Sequence, residues 1–201
     1  NRKMVLKELN RFRKTLSDTD NFLLYYAGHG FYDEVTKVGF WQPVDAEVDE
    51  DTEWIPNERI HKLLLGMRAN NILVVADSCY SGSQFRESPG SLSADKGSLD
   101  YIKKMVEKKT RMALTSGGNE PVLDSTVVNS KHSIFAAELI AELKENKGLL
   151  FAQDLSNLVK KSVVAKAQSI NVDQTPELGT LYPAGHDGGD FIFVPTKLQN
   201  K

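Results

Sequence analysis

The chain opens with apolar side chains at helical spacing. Between Met4 and Leu16 they recur every three or four residues among lysine, arginine and glutamate. This pattern predicts an amphipathic helix that packs one face against a core. A compact apolar run follows at residues 22–27 and is closed by Gly-His-Gly. Such a run predicts a buried strand.

Similar patterns continue along the chain. Further strands are predicted at residues 39–44, 72–76, 111–116 and 191–194, and further helices at 56–67, 99–108, 133–143 and 154–168. Residues 82–98 are rich in serine and glycine, which predicts a long exposed loop. Because strands and helices alternate, we predict an α/β fold with a mostly parallel central sheet and helices on both faces. One domain over residues 1–196 and a tail over 197–201 are expected.

Composition narrows the class of protein. The 201 residues are 40% hydrophobic and carry a net charge of -2, which suits one ordinary domain and gives no sign of a nucleic-acid or membrane partner. No apolar run approaches the roughly 18 residues of a membrane span. The single cysteine cannot form an internal disulfide, which favours a reducing compartment. We therefore predict a cytoplasmic protein.

Two predicted strands end in residues that carry chemistry. His29 follows the strand at 22–27, and Cys79 follows the strand at 72–76. Ligands bind outside the carboxyl ends of strands in open α/β sheets, so neighbouring strands would bring these side chains together. A nearby imidazole converts a thiol, with an ordinary pKa of about 8.5, into an efficient nucleophile. The backbone amides of Gly30 and Cys79 are the predicted oxyanion donors.

Neither residue is diagnostic alone. A lone cysteine after Val-Val-Ala is most often a small buried hydrophobic residue, and a histidine between glycines often marks a turn. Three other histidines are rival partners for the thiol: His61, His132 and His186. The pair, in this order and at these strand ends, indicates catalysis more strongly than either residue.

Two motifs carry a family resemblance. Residues 25–30 read Tyr-Tyr-Ala-Gly-His-Gly, and residues 77–82 read Asp-Ser-Cys-Tyr-Ser-Gly. With these motifs the chain resembles the caspase-like cysteine peptidases, and it is nearer to metacaspases, paracaspases and bacterial caspase-family proteins than to animal caspases. Residues 39–45 and 184–194 resemble further strands of that family. The histidine precedes the cysteine by 50 residues (29 to 79), and in caspases this distance is also about 50.

The resemblance implies a caspase-like three-layer sandwich and a cysteine endopeptidase that acts on a protein or peptide substrate. In its Cys-His dyad, Cys79 attacks the scissile carbonyl and His29 transfers protons. Two other classes stay open. One is a non-catalytic regulatory or interaction module, or an unactivated zymogen fragment, with the same fold. The other is an acyl-transfer enzyme that uses the same dyad.

The resemblance also implies a preference at P1, the substrate residue before the cleaved bond. In metacaspases and paracaspases the acid of the Asp-x-Cys motif lies in a pocket for Arg or Lys, and that role falls on Asp77. Glu120 is a candidate for a second acid of the pocket. The alternatives are that Asp77 caps a following helix or turn and that Glu120 is a solvated loop residue. A basic P1 preference predicts self-cleavage after Arg86 or Lys96, both in the long loop beyond the nucleophile.

One departure from the family is expected to matter. Family members begin with a central strand and a first helix before the helix that corresponds to residues 4–16, and this sequence has no counterpart for them. The absence of a mid-sheet strand would leave backbone groups without partners. We therefore predict that an amino-terminal segment preceding Asn1 is a partner of this chain.

The sequence predicts neither a bound metal nor a cofactor. Six acids between residues 45 and 53 suggest calcium, but their spacing does not fit an EF-hand, so a solvated loop is favoured. His186, Asp187 and Asp190 lie among glycines, which favours a tight turn over a metal site.

Overall fold

A computed structural model describes residues 1–78, 98–118 and 132–196, together with the backbone of residues 86 and 87. The described residues form five α-helices: α1 (Arg2–Thr15), α2 (Asn57–Leu65), α3 (Leu99–Glu107), α4 (Ile134–Glu145) and α5 (Ala152–Ser169). They also form ten strands: β1 (Asn21–Ala27), β2 (His29–Asp33), β3 (Val38–Gln42), β4 (Ile55–Pro56), β5 (Asn71–Asp77), β6 (Arg86–Glu87), β7 (Thr110–Thr115), β8 (Leu150–Phe151), β9 (Glu177–Thr180) and β10 (Ile192–Phe193).

Side-chain caps explain where three of the five described helices begin. The Asn1 side chain accepts a hydrogen bond from the Met4 amide at 2.9 Å and so caps α1. Ser98 and Ser133 cap α3 and α4 in the same way. Among the helices of the described ranges, none combines the length and the apolar character needed to cross a bilayer.

The central sheet has five strands in the order β1-β5-β7-β9-β6. The first three strands are parallel, whereas β9 runs antiparallel to β7 and β6 antiparallel to β9. Strands β2, β3 and β4 form a separate antiparallel sheet, and β8 pairs with β10. The predicted α/β fold with a mostly parallel sheet is confirmed.

Strand β5 lies between two apolar layers and contributes side chains to both. Ile72 and Val74 pack on one face with α1 and α2, and Leu73 and Val75 pack on the other with α4 and α5. Successive side chains of a strand point to opposite faces. A strand that is covered on both faces therefore needs an unbroken apolar run, which is what the sequence has here.

Some predicted elements differ from the structure. The chain after residue 27 is not only a turn, because β2 begins at His29 and forms a hairpin with β3. Strand β9 was not predicted. The predicted last strand at 191–194 is shorter and pairs with β8, outside the central sheet. Within the predicted long loop, residues 86 and 87 form β6 and pair with Thr180 and Gly179.

A buried arginine, Arg111, connects the chain between α2 and β5 with the start of β7. The Arg111 side chain is 1% exposed, and its guanidinium donates to the carbonyls of Met67, Ala69, Asn70 and Thr110 at 2.8–3.2 Å. These carbonyls lie in the connection between α2 and β5 and at the start of β7. Arg111 thus holds the entry to the central strand by satisfying backbone groups that are out of reach of water.

Gly189 allows the carboxyl-terminal segment to pack closely on α3 and β7. A β-carbon at this position would lie 2.6 Å from the carbonyl oxygen of Lys108 and 3.0 Å from that of Met105. Both contacts are backbone atoms, so the strain cannot be relieved by a change of rotamer. We expect Gly189→Ala to lower the free energy of unfolding by about 1–3 kcal/mol. Chemical denaturation measures this loss.

Gly148→Ala is the matched control, because a β-carbon at Gly148 would meet no atom within 4 Å. We expect this change to be neutral or slightly stabilising. Equal denaturation midpoints for the two variants would contradict the role given to Gly189.

Candidate active site

Parallel pairing of β1 and β5 brings together the two chain segments that lead to the predicted dyad. Ala27 is the register partner of Asp77, and the Gly28 amide donates to the Asp77 carbonyl at 3.4 Å. His29 lies two residues beyond Ala27. Cys79 lies outside the described residues, and the described chain ends there at Ser78. The neighbouring-strand arrangement on which the dyad prediction depends is therefore present.

The backbone at His29 is held by a tyrosine from the preceding strand. The Tyr26 hydroxyl lies 2.6 Å from the His29 carbonyl oxygen and 3.1 Å from that of Gln42, the cross-strand partner of His29. The Tyr26 ring stacks on Trp41 with centroids 4.2 Å apart and planes 3° apart. A β-carbon at Gly28 would lie 2.9 Å from the Tyr26 oxygen, so a side chain at this position would displace the Tyr26 hydroxyl. The His29 side chain itself is exposed.

The Asp77 carboxylate receives two hydroxyl groups on the same oxygen. Ser133 donates to Oδ2 at 2.5 Å, and Tyr25 donates to it at 3.2 Å. Ser133 also accepts from the Ala136 amide at 2.9 Å, so the carboxylate is linked to the start of α4. Burial and the negative charge of Asp77 raise the pKa of Tyr25 to about 12. Asp77 thus contacts the capping residue of α4, which lies 56 residues further along the chain. The residues that follow Ser78 directly, where the alternative cap was predicted, lie outside the described ranges.

The segment that leads to Cys79 is supported from β7 and from the chain before β9. The Ser116 amide donates to the Ala76 carbonyl at 3.0 Å, and its hydroxyl lies 3.4 Å from the Ser78 carbonyl oxygen. Gln174, which is 3% exposed, donates to the Ser116 carbonyl at 2.9 Å. These buried contacts fix the backbone directly before the predicted nucleophile.

The remaining predicted residues are distributed as follows. Gly30 is half-buried in β2 opposite Trp41. Glu120 and Lys96 lie outside the described residues. The backbone of Arg86 pairs with Thr180.

The rival histidines occupy different places. His61 is buried in α2. His186 accepts from the Arg111 amide through Nδ1 at 3.1 Å, near the amino end of β7 and so at the opposite edge of the sheet from Asp77. Burial lowers the pKa of His186. His132 is exposed and precedes Ser133, so it lies at the same edge as Asp77.

The acidic stretch at residues 45–53 has one defined contact with α1. The Arg2 amide donates to both carboxylate oxygens of Asp45 at 3.0 and 3.2 Å. Within the described ranges, no group of three or more His, Cys, Asp or Glu side chains is arranged to hold a metal ion.

Four residues of the site were missed by the sequence analysis: Tyr25, Tyr26, Ser133 and Gln174. The two tyrosines belong to the histidine motif, and strand alternation would have placed them on opposite faces. Ser133 carries a recognisable helix-cap signal, but its contact with Asp77 depends on tertiary structure. Nothing in the local sequence singles out Gln174.

Residues 1–181 match the family described as the caspase domain, a family of cysteine peptidases. The chain belongs to the caspase domain family. The resemblance seen in the two motifs is thereby confirmed. No curated protein gave a match.

Two solved structures share the fold. One is the protein GSU0716 from Geobacter sulfurreducens, with a TM-score of 0.55 and 19% identity over 90% of this chain and 73% of that one. The other is caspase-1 from Spodoptera frugiperda, with a TM-score of 0.53 and 14% identity over 89% of this chain and 68% of that one. At these identities the likeness concerns the caspase fold.

Proposed function

We propose that this caspase-domain chain is a cysteine endopeptidase that cleaves proteins after Arg or Lys, with Cys79 as nucleophile and His29 as general acid and base. The observation that carries the proposal is the register of β1 and β5. Because Ala27 lies beside Asp77, the two chain segments that lead to His29 and Cys79 leave the same edge of the sheet as neighbours.

The proposed chemistry needs only these side chains and a water molecule. Cys79 gives its thiol proton to His29, and the thiolate sulfur bonds to the scissile carbonyl carbon. The carbonyl electrons move to oxygen, and the oxyanion is held by the amides of Gly30 and Cys79. The C–N bond then breaks, and the amine leaves with the proton from His29. Water next gives a proton to His29 while its oxygen displaces the sulfur, which frees the acid product and restores the thiol.

Asp77 is the proposed recognition group for the basic P1 side chain. Its hydroxyl donors Tyr25 and Ser133 are themselves neutral, and they orient the carboxylate. A carboxylate held in this way forms a charge-assisted pair with a guanidinium or ammonium group. Glu120 is proposed as a second acid of the pocket.

Cleavage of fluorogenic peptides that differ only at P1 (Arg, Lys, Asp or Leu) tests the proposal. We expect turnover after Arg and Lys, and background rates with Cys79→Ala. Turnover after Asp would overturn the pocket assigned to Asp77. Parallel assays with and without calcium show whether the ion is an activator. Inactivity on the whole panel would favour a non-catalytic module or an unactivated zymogen.

Self-processing is a separate prediction. Arg86 and Lys96 are the proposed cleavage sites, and the Arg86 backbone is paired with β9, so cleavage there requires its release from the sheet. Mass spectrometry of the purified protein should detect fragments that end at one of these residues. The fragments should be absent in Cys79→Ala; their persistence in that variant would indicate a contaminating protease.

We also propose that a strand from an amino-terminal segment preceding Asn1 pairs with the outer edge of β1. Within the described part of the chain, β1 has a strand partner on one side only, and an apolar groove of about 280 Å³ lies between it and α4. Leu23 and Tyr25 in this groove are 43% and 45% exposed. Such an edge favours addition of a strand. An intact mass of the natural protein that corresponds to only these 201 residues would contradict this proposal.

A further inference from the structure

Two adjacent tyrosines contact two different parts of the candidate site. We propose that Tyr26 positions His29 for proton transfer, whereas Tyr25 positions Asp77 for the choice between Arg and Lys at P1. The inference rests on the proposed peptidase function. Neither tyrosine is assigned a part in the chemical steps, so each acts as a positioning residue.

Strand geometry explains why neighbours serve different partners. Successive side chains of a strand point to opposite faces of the sheet. Tyr26 packs against the layer formed with α1 and α2. Tyr25 lines the groove beside α4 on the other face. The two hydroxyl groups therefore approach the carboxyl edge of the sheet from opposite sides.

The contact made by Tyr26 fixes the start of the β2–β3 hairpin. Its hydroxyl lies within hydrogen-bond distance of the carbonyl oxygens of His29 and Gln42, which are register partners. The ring is held by stacking on Trp41, which is 3% exposed. Because the ring is fixed, the hydroxyl restrains the backbone from which the exposed imidazole projects.

The contact made by Tyr25 fixes the orientation of a carboxylate. Tyr25 and Ser133 both donate to Oδ2 of Asp77, and two donors on one oxygen restrict rotation of the group. A guanidinium binds a carboxylate through two parallel hydrogen bonds and depends on the orientation of its plane. An ammonium group acts as a compact charge and is less sensitive to that plane. Loss of the Tyr25 hydroxyl should therefore affect Arg substrates more than Lys substrates.

Both hydroxyl groups remain protonated under assay conditions. Burial raises the pKa of Tyr26 to about 12, and burial together with the charge of Asp77 does the same for Tyr25. Neither tyrosine therefore titrates between pH 5 and 9. If a variant changes the pH profile in this range, the change reports on other groups of the site.

The test compares Tyr26→Phe and Tyr25→Phe with the control Tyr101→Phe, which removes a hydroxyl from α3, where the ring packs against Phe151. For Tyr26→Phe we expect kcat to fall about 3- to 10-fold on Arg and Lys peptides alike, as for loss of one hydrogen bond. Alkylation of Cys79 should slow near neutral pH, with its apparent pKa shifted towards the ordinary thiol value of about 8.5.

For Tyr25→Phe we expect the ratio of kcat/KM for Arg over Lys to fall about 3- to 10-fold, mainly through KM. Its alkylation profile should match wild type. The control should match wild type in every assay, and a single cooperative thermal transition in each variant establishes that it is folded.

Several results would overturn the inference. If both variants lower activity with the same pattern, the tyrosines have a shared structural role and no separate tasks. If wild type cleaves after Arg and Lys but both variants equal it, the contacts do not position the site. Wild type that is inactive on every peptide overturns the proposed function itself, which is a different outcome.

Discussion

Asp77→Asn is expected to lower kcat/KM for Arg and Lys peptides by about 100-fold, because the charge that pairs with P1 is lost. Asparagine keeps an oxygen that can accept from Ser133 and Tyr25, so the link to α4 is retained in part. Most of the loss should therefore appear as a higher KM. Steady-state kinetics on the two peptides measure it.

Alkylation of Cys79 provides the internal control for this variant. It should proceed at the wild-type rate, because the thiol and His29 are unchanged. Asp18→Asn is the matched substitution: Asp18 is exposed in the turn between α1 and β1, at the other edge of the sheet, and its loss should leave kcat/KM unaltered. If Asp77→Asn instead lowers the melting temperature and slows alkylation without a selective loss on basic peptides, Asp77 is an anchor for α4.

The second large effect concerns stability. Arg111→Met should lower the free energy of unfolding by at least about 3 kcal/mol, because the buried carbonyls of Met67 and Ala69 lose the guanidinium donor and each such loss costs about 1–3 kcal/mol. In a domain of this size that corresponds to a fall in Tm of roughly 6–12 °C. Methionine keeps the unbranched part of the side chain and removes the donors, and the space left by the guanidinium adds to the loss.

Arg59→Met is the control for Arg111→Met. Arg59 is exposed on α2, and its replacement should change the unfolding free energy by less than about 0.5 kcal/mol. Calorimetry on both variants measures the difference. Similar melting temperatures would mean that water reaches the carbonyls around position 111 when the guanidinium is removed.

The elements that the sequence predicted best are those with a strong apolar pattern. The run at residues 72–76 is buried on both faces, so its composition alone indicates a central strand. Strand β9 has four residues with only one large apolar side chain, Leu178, and it is held by pairing with β7, which is distant in sequence. Strand β2 contains His29 and Gly30, which are typical of turns, and its pairing with β3 overrides that preference.

The same distinction holds for the candidate site, of which one part could be predicted from the sequence and another could not. Position and spacing predicted that His29 and the segment leading to Cys79 would be neighbours, because parallel strands present their carboxyl ends at one edge. The partners of Asp77 could not be predicted. Tyr25 and Ser133 lie 52 and 56 residues from it, and only the packing of β1 and α4 around β5 brings them together.

The position of β5 between two parallel neighbours also has a dynamic consequence. Its backbone is paired on both sides and its side chains are buried on both faces, so its amides can exchange with deuterium only through large-scale opening of the domain. Strand β1 is paired with β5 alone among the described strands, so in a chain without the proposed amino-terminal strand the amides on its other side should exchange without opening of the domain. The thiol segment is thus continuous with the most slowly exchanging strand, whereas the histidine segment follows a faster one. The strands that precede His29 and Cys79 therefore differ in how fast their amides exchange.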